Sequence, residues 1–174
     1  MRNLLLAASM LAAAQTTGGH LTFQAPAAWH SRPAASSMRV AEFVIPRTAG
    51  DPEDAELVVY YFGAQGGGGP QANIDRWIGQ MQRPDGGPAK DSARTGSRTI
   101  NGLTVSSVDV SGTYVAEVRP GATEHFNKPD FRLMAAVVET PRGPYYVKLT
   151  GPARTVAAAT AAYEAFLGSL RFQG

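Results

Sequence analysis

The chain has 174 residues, 44% of them hydrophobic, enough for one domain with a real core and not the composition of a disordered polypeptide. Sixteen Lys and Arg stand against fourteen Asp and Glu, for a formal net charge of +2, so a pI near 9.1 reflects a shallow titration curve and not a basic surface. The basic residues are scattered singly, and without a cluster to neutralise successive phosphates the chain is not read as a nucleic-acid binder.

The first fourteen residues, "MRNLLLAASMLAAA", carry one positive charge at Arg2, an apolar stretch from Leu4 to Ala14 and a small-x-small site at Ala12–Ala14. This is the pattern of a secretory signal peptide, and the stretch is too short to cross a bilayer. Residues 15–174 are then the mature chain, expected to be one domain without a membrane span. There is no Cys, so there is neither a disulfide nor a lipid-anchoring thiol, and stability has to come from packing. The expected location is the periplasm or the medium outside a bacterial cell.

"LTFQAP" (21–26) reads as a short strand, with Trp29 close behind it. "MRVAEFVI" (38–45) alternates Arg39, Ala41, Phe43 and Ile45 on one face with Met38, Val40, Glu42 and Val44 on the other. Both faces are largely apolar, so the strand is expected to be covered on two sides until Pro46 stops it. "ELVVYYF" (56–62) is a β-branched and aromatic run suited to a central strand.

After the loop "GAQGGGGP", Ile74, Trp77, Ile78 and Met81 fall at i, i+3, i+4 and i+7. They predict a helix over 71–83, opened by Pro70 and ended by Pro84. Residues 83–97 read as a loop, and Asn101-Gly102 as a two-residue hairpin turn leading into "LTVSSVDV" (103–110). A polar excursion over 119–130 precedes the strand "FRLMAAVVE" (131–139), and "PRGP" turns the chain into "YYVKLTG" (145–151). Pro152 then opens a helix with Val156, Ala159, Tyr163, Phe166 and Leu167 on one stripe. Gly168 is expected to cap it before a short closing strand, "SLRF". Strands, a helix, antiparallel strands and a final helix make an α+β order, not the alternation of a doubly wound parallel sheet.

A strand, a glycine loop and a helix in succession suggest phosphate binding, but the residues after Gly69 are Pro70, Gln71 and Ala72. A nucleotide loop needs Lys and Ser or Thr there. A dinucleotide fingerprint fails as well, because a long loop and not a parallel strand follows the helix. The glycines supply conformational freedom, and free amides at a helix start can hold a carboxylate or another anion. The loop Gly66, Gly67, Gly68 and Gly69, with Asn73, Arg76 and Gln80 on the following helix, is therefore the candidate ligand- or partner-binding strip.

His20, His30 and His125 lack metal-site spacing, so no metal is expected. The acids Asp51, Glu53, Asp54 and Glu56 do not make a calcium loop. No nucleophile elbow surrounds Ser97, Ser107 or Ser111, and no catalytic residue or cofactor is assigned.

The stretches "LTFQAPAAW", "MRVAEFVIP", "AELVVYYFG" and "TGPARTVAAATAAYEAFLGSLRF" together resemble the small exported domains of the PsbP-like type. That group includes the photosystem II extrinsic subunit P and bacterial DcrB-like envelope proteins. The resemblance extends over most of the mature chain, and "NIDRWIGQM" and "LTGPARTV" are similar to exported bacterial proteins without an assigned activity. It implies an antiparallel sheet sandwiched between helices (α/β/α) that serves as a non-catalytic binding or assembly module. No photosystem-docking segment or chloroplast transit sequence is recognised in the chain, so a photosynthetic role is not expected. The expectation is a non-enzymatic envelope module whose partner is an envelope protein or a small ligand. The alternative is a small secreted hydrolase assembled from dispersed acids or a Ser/His pair, for which His30 or His125 would have to meet a Ser or a carboxylate in a pocket.

Overall fold

The computed structural model describes residues 20–174; the expected signal peptide lies outside them. The described residues form β1 (His20–Thr22), β2 (His30–Arg32), β3 (Arg39–Ile45), β4 (Ala55–Tyr61), α1 (Pro70–Ile78), β5 (Met81–Gln82) and β6 (Arg94–Ile100). β7 (Leu103–Tyr114), β8 (Lys128–Val138), β9 (Tyr145–Pro152), α2 (Ala153–Gly168) and β10 (Arg171–Gln173) follow. The main sheet runs β2-β3-β4-β9-β8-β7, and both β5 and β6 pair with β7. Every pairing is antiparallel, and β1 pairs with β10 in a separate small ribbon.

Alternation along the central strands divides the apolar residues into two cores. Leu57 and Val59 of β4, Val147 and Leu149 of β9, and Met134, Ala136 and Val138 of β8 face α2, which supplies Val156, Tyr163, Phe166 and Leu167. Phe166 is the hub of an aromatic cluster, with ring centroids 5.0 Å from Phe23, 5.6 Å from Trp29 and 6.3 Å from Phe43. On the other face, Ile74, Trp77 and Ile78 of α1 and Met81 meet Val108, Val110, Leu133, Ala135 and Val137.

The architecture is α+β, dominated by the sheet. The expected sandwich does not hold in its full form. α1 has nine residues and packs mainly on β7 and β8, so the β3–β4 side of that face has no helical cover.

Four boundaries depart from expectation for physical reasons. α1 stops at Ile78, not at Arg83, because Gly79 follows and the Gln80 carbonyl accepts the Val115 amide at 2.8 Å, drawing the chain into the sheet. Met81 keeps its place in the apolar stripe as a residue of β5. Gly168 is the last helical residue and Ser169 the cap. The carbonyls of Gly168 and Leu170 accept the Asn101 side-chain amide at 2.9 and 2.8 Å. β6 begins at Arg94, inside the expected loop. Its exposed residues leave no apolar alternation to read, and its register is set by the turn, with φ +50° at Asn101 and +82° at Gly102. Exposed β2 had no such pattern either.

The fifth departure concerns the site. A bulge between Arg39 and Ala41 breaks the β3 alternation, so Arg39 pairs with Tyr60 and Ala41 with Val59. Arg39 therefore leaves the face of Ala41, Phe43 and Ile45, to which simple alternation assigns it, and joins Tyr60 on the opposite one.

Candidate functional site

Where α1 leaves the sheet uncovered, a groove of about 790 Å³ opens. Its floor is the outward face of β4 and β9, with Val58 and Tyr60 beside Lys148 and Tyr146. Trp77 and Arg76 of α1 and Gln80 just after it form one wall, and the end of β7, the connection that follows and the start of β8 close the far side with Tyr114, Phe126 and Lys128. The volume lies within the range of small-molecule sites.

The walls are built from stacked rings. Tyr114 lies 5.6 Å from Phe126 and 6.0 Å from Phe131, both stacked. Tyr60 stacks on Phe62 at 5.8 Å. Burial raises the phenols of Tyr60 and Tyr146, and pushes that of Tyr114 up to about 12 with help from Tyr60. All three stay protonated at neutral pH and can donate hydrogen bonds.

Lys148 lies at the centre, on β9 between Val58 and Ala135. Its Nζ donates to Gln80 Oε1 at 2.6 Å and contacts the Tyr114 hydroxyl at 3.2 Å. Among the described residues no carboxylate lies within ion-pair distance of it. Burial pushes its ammonium down to about 7, and the charges of Arg76 and Arg39 push in the same direction. Beside it Thr150 Oγ1 is buried with no hydrogen-bond partner among the described residues.

The neighbouring cations are compensated unequally. Arg39 reaches Glu42 at 3.1 Å and Glu56 at 3.9 Å, and lies over the Tyr60 ring at 5.5 Å. Glu42 is buried. Burial raises its carboxyl, but the Ala35 amide, Arg32 and Arg39 together outweigh that and hold it below its ordinary value. Lys128 is clamped by both Glu53 oxygens at 2.7 and 2.9 Å. Arg76 donates to Asn73 Oδ1 at 2.5 Å and meets no carboxylate at ion-pair distance among the described residues. Arg76 and Lys148 thus bring positive charge to one groove without a direct ion pair among the described residues, while Glu53, Asp54, Glu56 and Glu117 line its other parts.

The glycine loop plays a different part. Asn73, 1% exposed, turns its side-chain amide to the carbonyls of Gly67, Gly68 and Gly69 at 2.7, 3.2 and 3.0 Å. The Tyr146 hydroxyl lies 2.7 Å from the Gly68 carbonyl and 3.2 Å from that of Gly66. Gly67 and Gly68 adopt φ of +81° and +77°, and a Cβ on Gly67 would lie 2.3 Å from the Tyr146 oxygen. The loop is a plug whose carbonyls point inward to Asn73 and Tyr146. Of the predicted strip, Gly66–Gly69 and Asn73 come together as this plug, while Arg76 and Gln80 line the groove. Lys148, Tyr60, Tyr114 and Arg39 are the additional groove residues. One signal of Lys148 was present in the sequence: a lone cation in "YYVKLTG", a strand otherwise fit for burial.

His125 lines the groove, but its Nδ1 lies 2.8 Å from the Val115 carbonyl, not from a Ser or a carboxylate. His30 sits on exposed β2. Among the described residues no His, Asp and Glu cluster is arranged to hold a metal ion, and no helix is long and apolar enough to cross a membrane.

No family model matches the chain, and no curated protein matches it in sequence. Among solved structures it is similar to LpqN, described as involved in cell envelope biogenesis of Mycobacterium tuberculosis. The identity is 10% and the TM-score 0.58, over 92% of this chain and 87% of LpqN. A protein of unknown function from Pseudomonas aeruginosa matches at 17% identity and a TM-score of 0.47, over 90% of this chain and 99% of that one. The likeness to LpqN is one of fold. The PsbP-like and DcrB-like resemblance thus reduces to a coarser statement, a fold shared with a protein involved in cell envelope biogenesis.

Proposed function

We propose that this protein is a non-catalytic binding module of the cell envelope that takes up a small ligand with an anionic group and an apolar or aromatic body. The observation that carries this reading is Lys148, a cation without a carboxylate partner at the centre of an aromatic groove. Lys148 is half-buried, and a charge drawn partly out of water without a counter-charge gains from a ligand that supplies one. Arg76 adds a second cation at the rim, and the rings of Tyr114 and Tyr60 offer stacking surfaces. Export to the periplasm or beyond, and a place among PsbP-like or DcrB-like modules, belong to the same proposal. They are supported by the N-terminal pattern, by the quoted stretches and by the fold shared with LpqN.

The test is a tryptophan-fluorescence titration with naphthalene-2-sulfonate against the neutral naphthalene-2-methanol. The sulfonate is expected to bind saturably and about tenfold more tightly, the scale of one charge-assisted hydrogen bond. Arg76→Ala is expected to weaken the sulfonate, with a modest fall in melting temperature from the lost bond to Asn73 Oδ1. Equal affinity for sulfonate and alcohol, or no saturable response to either, overturns the reading.

A further inference from the structure

On the reading of the groove as a ligand site, we infer that Lys148 is an imine-forming lysine that captures an aldehyde or keto acid reversibly through its carbonyl carbon. Amine nucleophiles in proteins are activated by removal from water and by neighbouring cations. Lys148 meets both conditions. It lies between apolar Val58 and Ala135, and Arg76 and Arg39 act on it electrostatically. With its ammonium lowered to about 7, about half of it is free amine at neutral pH. Gln80 Oε1, 2.6 Å away, can only accept a hydrogen bond, so it orients the amine while leaving the lone pair available.

The chemistry balances within the groove. The Nζ lone pair attacks the carbonyl carbon and gives a carbinolamine. The C–O bond then breaks, the C=N bond forms, and the oxygen leaves as water with the two amine protons. The Tyr114 hydroxyl, 3.2 Å from Nζ and kept protonated by burial, donates a proton to the departing oxygen and recovers one from the nitrogen. Arg76 is placed to receive the ligand's carboxylate. No oxidant or reductant is consumed, and water reverses the capture.

The chain contains its own controls, because its other lysines are Lys90 and Lys128. Lys90 is exposed in the turn before β6, and Lys128 Nζ donates to both Glu53 oxygens at 2.7 and 2.9 Å. The experiment incubates the protein with 4-formylbenzoate and sodium cyanoborohydride at neutral pH, then locates the reduced adducts by peptide mass spectrometry. Binding of 4-methylbenzoate, which has the same anion and ring but no carbonyl, is followed in parallel.

The expected result is labelling of Lys148 at least about tenfold over Lys90 and Lys128, set by its free-amine fraction, and slower labelling in Tyr114→Phe. Equal labelling of the three lysines with 4-methylbenzoate still bound overturns the imine inference and leaves the binding module standing. Equal labelling with no binding of 4-methylbenzoate overturns both.

Discussion

Replacing Lys148 by Met tests the electrostatics of the groove directly. The side chain keeps its unbranched stem and loses its charge. A lysine ordinarily titrates at 10.5, and Lys148 does so at about 7, so the folded protein binds this proton roughly 3,000-fold more weakly than the unfolded chain, about 5 kcal/mol. The folded value is the depressed one, so the unfolded state holds more protons between pH 7 and 10.5, and stability rises with pH across that window. Below pH 7 both states are protonated and the wild type carries the whole penalty. Loss of the contacts to Gln80 and Tyr114 offsets about 2 kcal/mol of the gain. Lys148→Met is therefore expected to be about 3 kcal/mol more stable than wild type at pH 6. That advantage should shrink by about 4 kcal/mol by pH 10. Urea denaturation of both proteins from pH 6 to pH 10 measures the difference, in which tyrosine ionisation common to the two cancels. Parallel curves would refute the reasoning, because they would mean that Lys148 titrates alike in the folded and unfolded chains.

Gly67→Ala places a methyl group 2.3 Å from the Tyr146 oxygen at a φ of +81°, with an expected loss of about 2–4 kcal/mol. Gly63→Ala, at φ +86° with open space around it, should lose only about 1 kcal/mol. Equal losses in denaturant melts would mean that the loop does not pack on Tyr146. Glu42→Gln should lose about 2–3 kcal/mol at pH 7, allowing for the half-exposed Arg32. Since the folded carboxyl titrates below its ordinary value of 4.5, its contribution is present above that pH and lost as pH falls through the folded value. Wild type and Glu42→Gln should therefore converge in acid melts, and a constant gap would contradict the assignment.

Much of the scaffold was legible because it rests on local rules. Asn101-Gly102 specifies its turn wherever it occurs between strands. The run 56–62 suits a central strand, and β4 occupies that place. The spacing of Ile74, Trp77 and Ile78 required a helix, although Gly79 ended it earlier than the apolar period suggested. The site was harder to read because it depends on cross-strand register. Periodicity puts Arg39 with Phe43, and only the bulge moves it beside Tyr60. Composition marks 66–69 as a loop but does not say whether its amides or its carbonyls face inward; Asn73 and Tyr146 decide that, and Tyr146 is about 80 residues away. Lys148 looks like an ordinary alternating polar residue until β4 and β8 are laid on either side of it.

The alternation of β4 and β9 makes the sheet an insulating partition. Tyr145, Val147 and Leu149 support the α2 core, while Tyr146, Lys148 and Thr150 turn to the groove. The two sets share a backbone and little else. Substitutions on the groove side can change the chemistry of the groove without repacking Phe166 and its neighbours, so the groove can diverge while the determinants of folding stay constant.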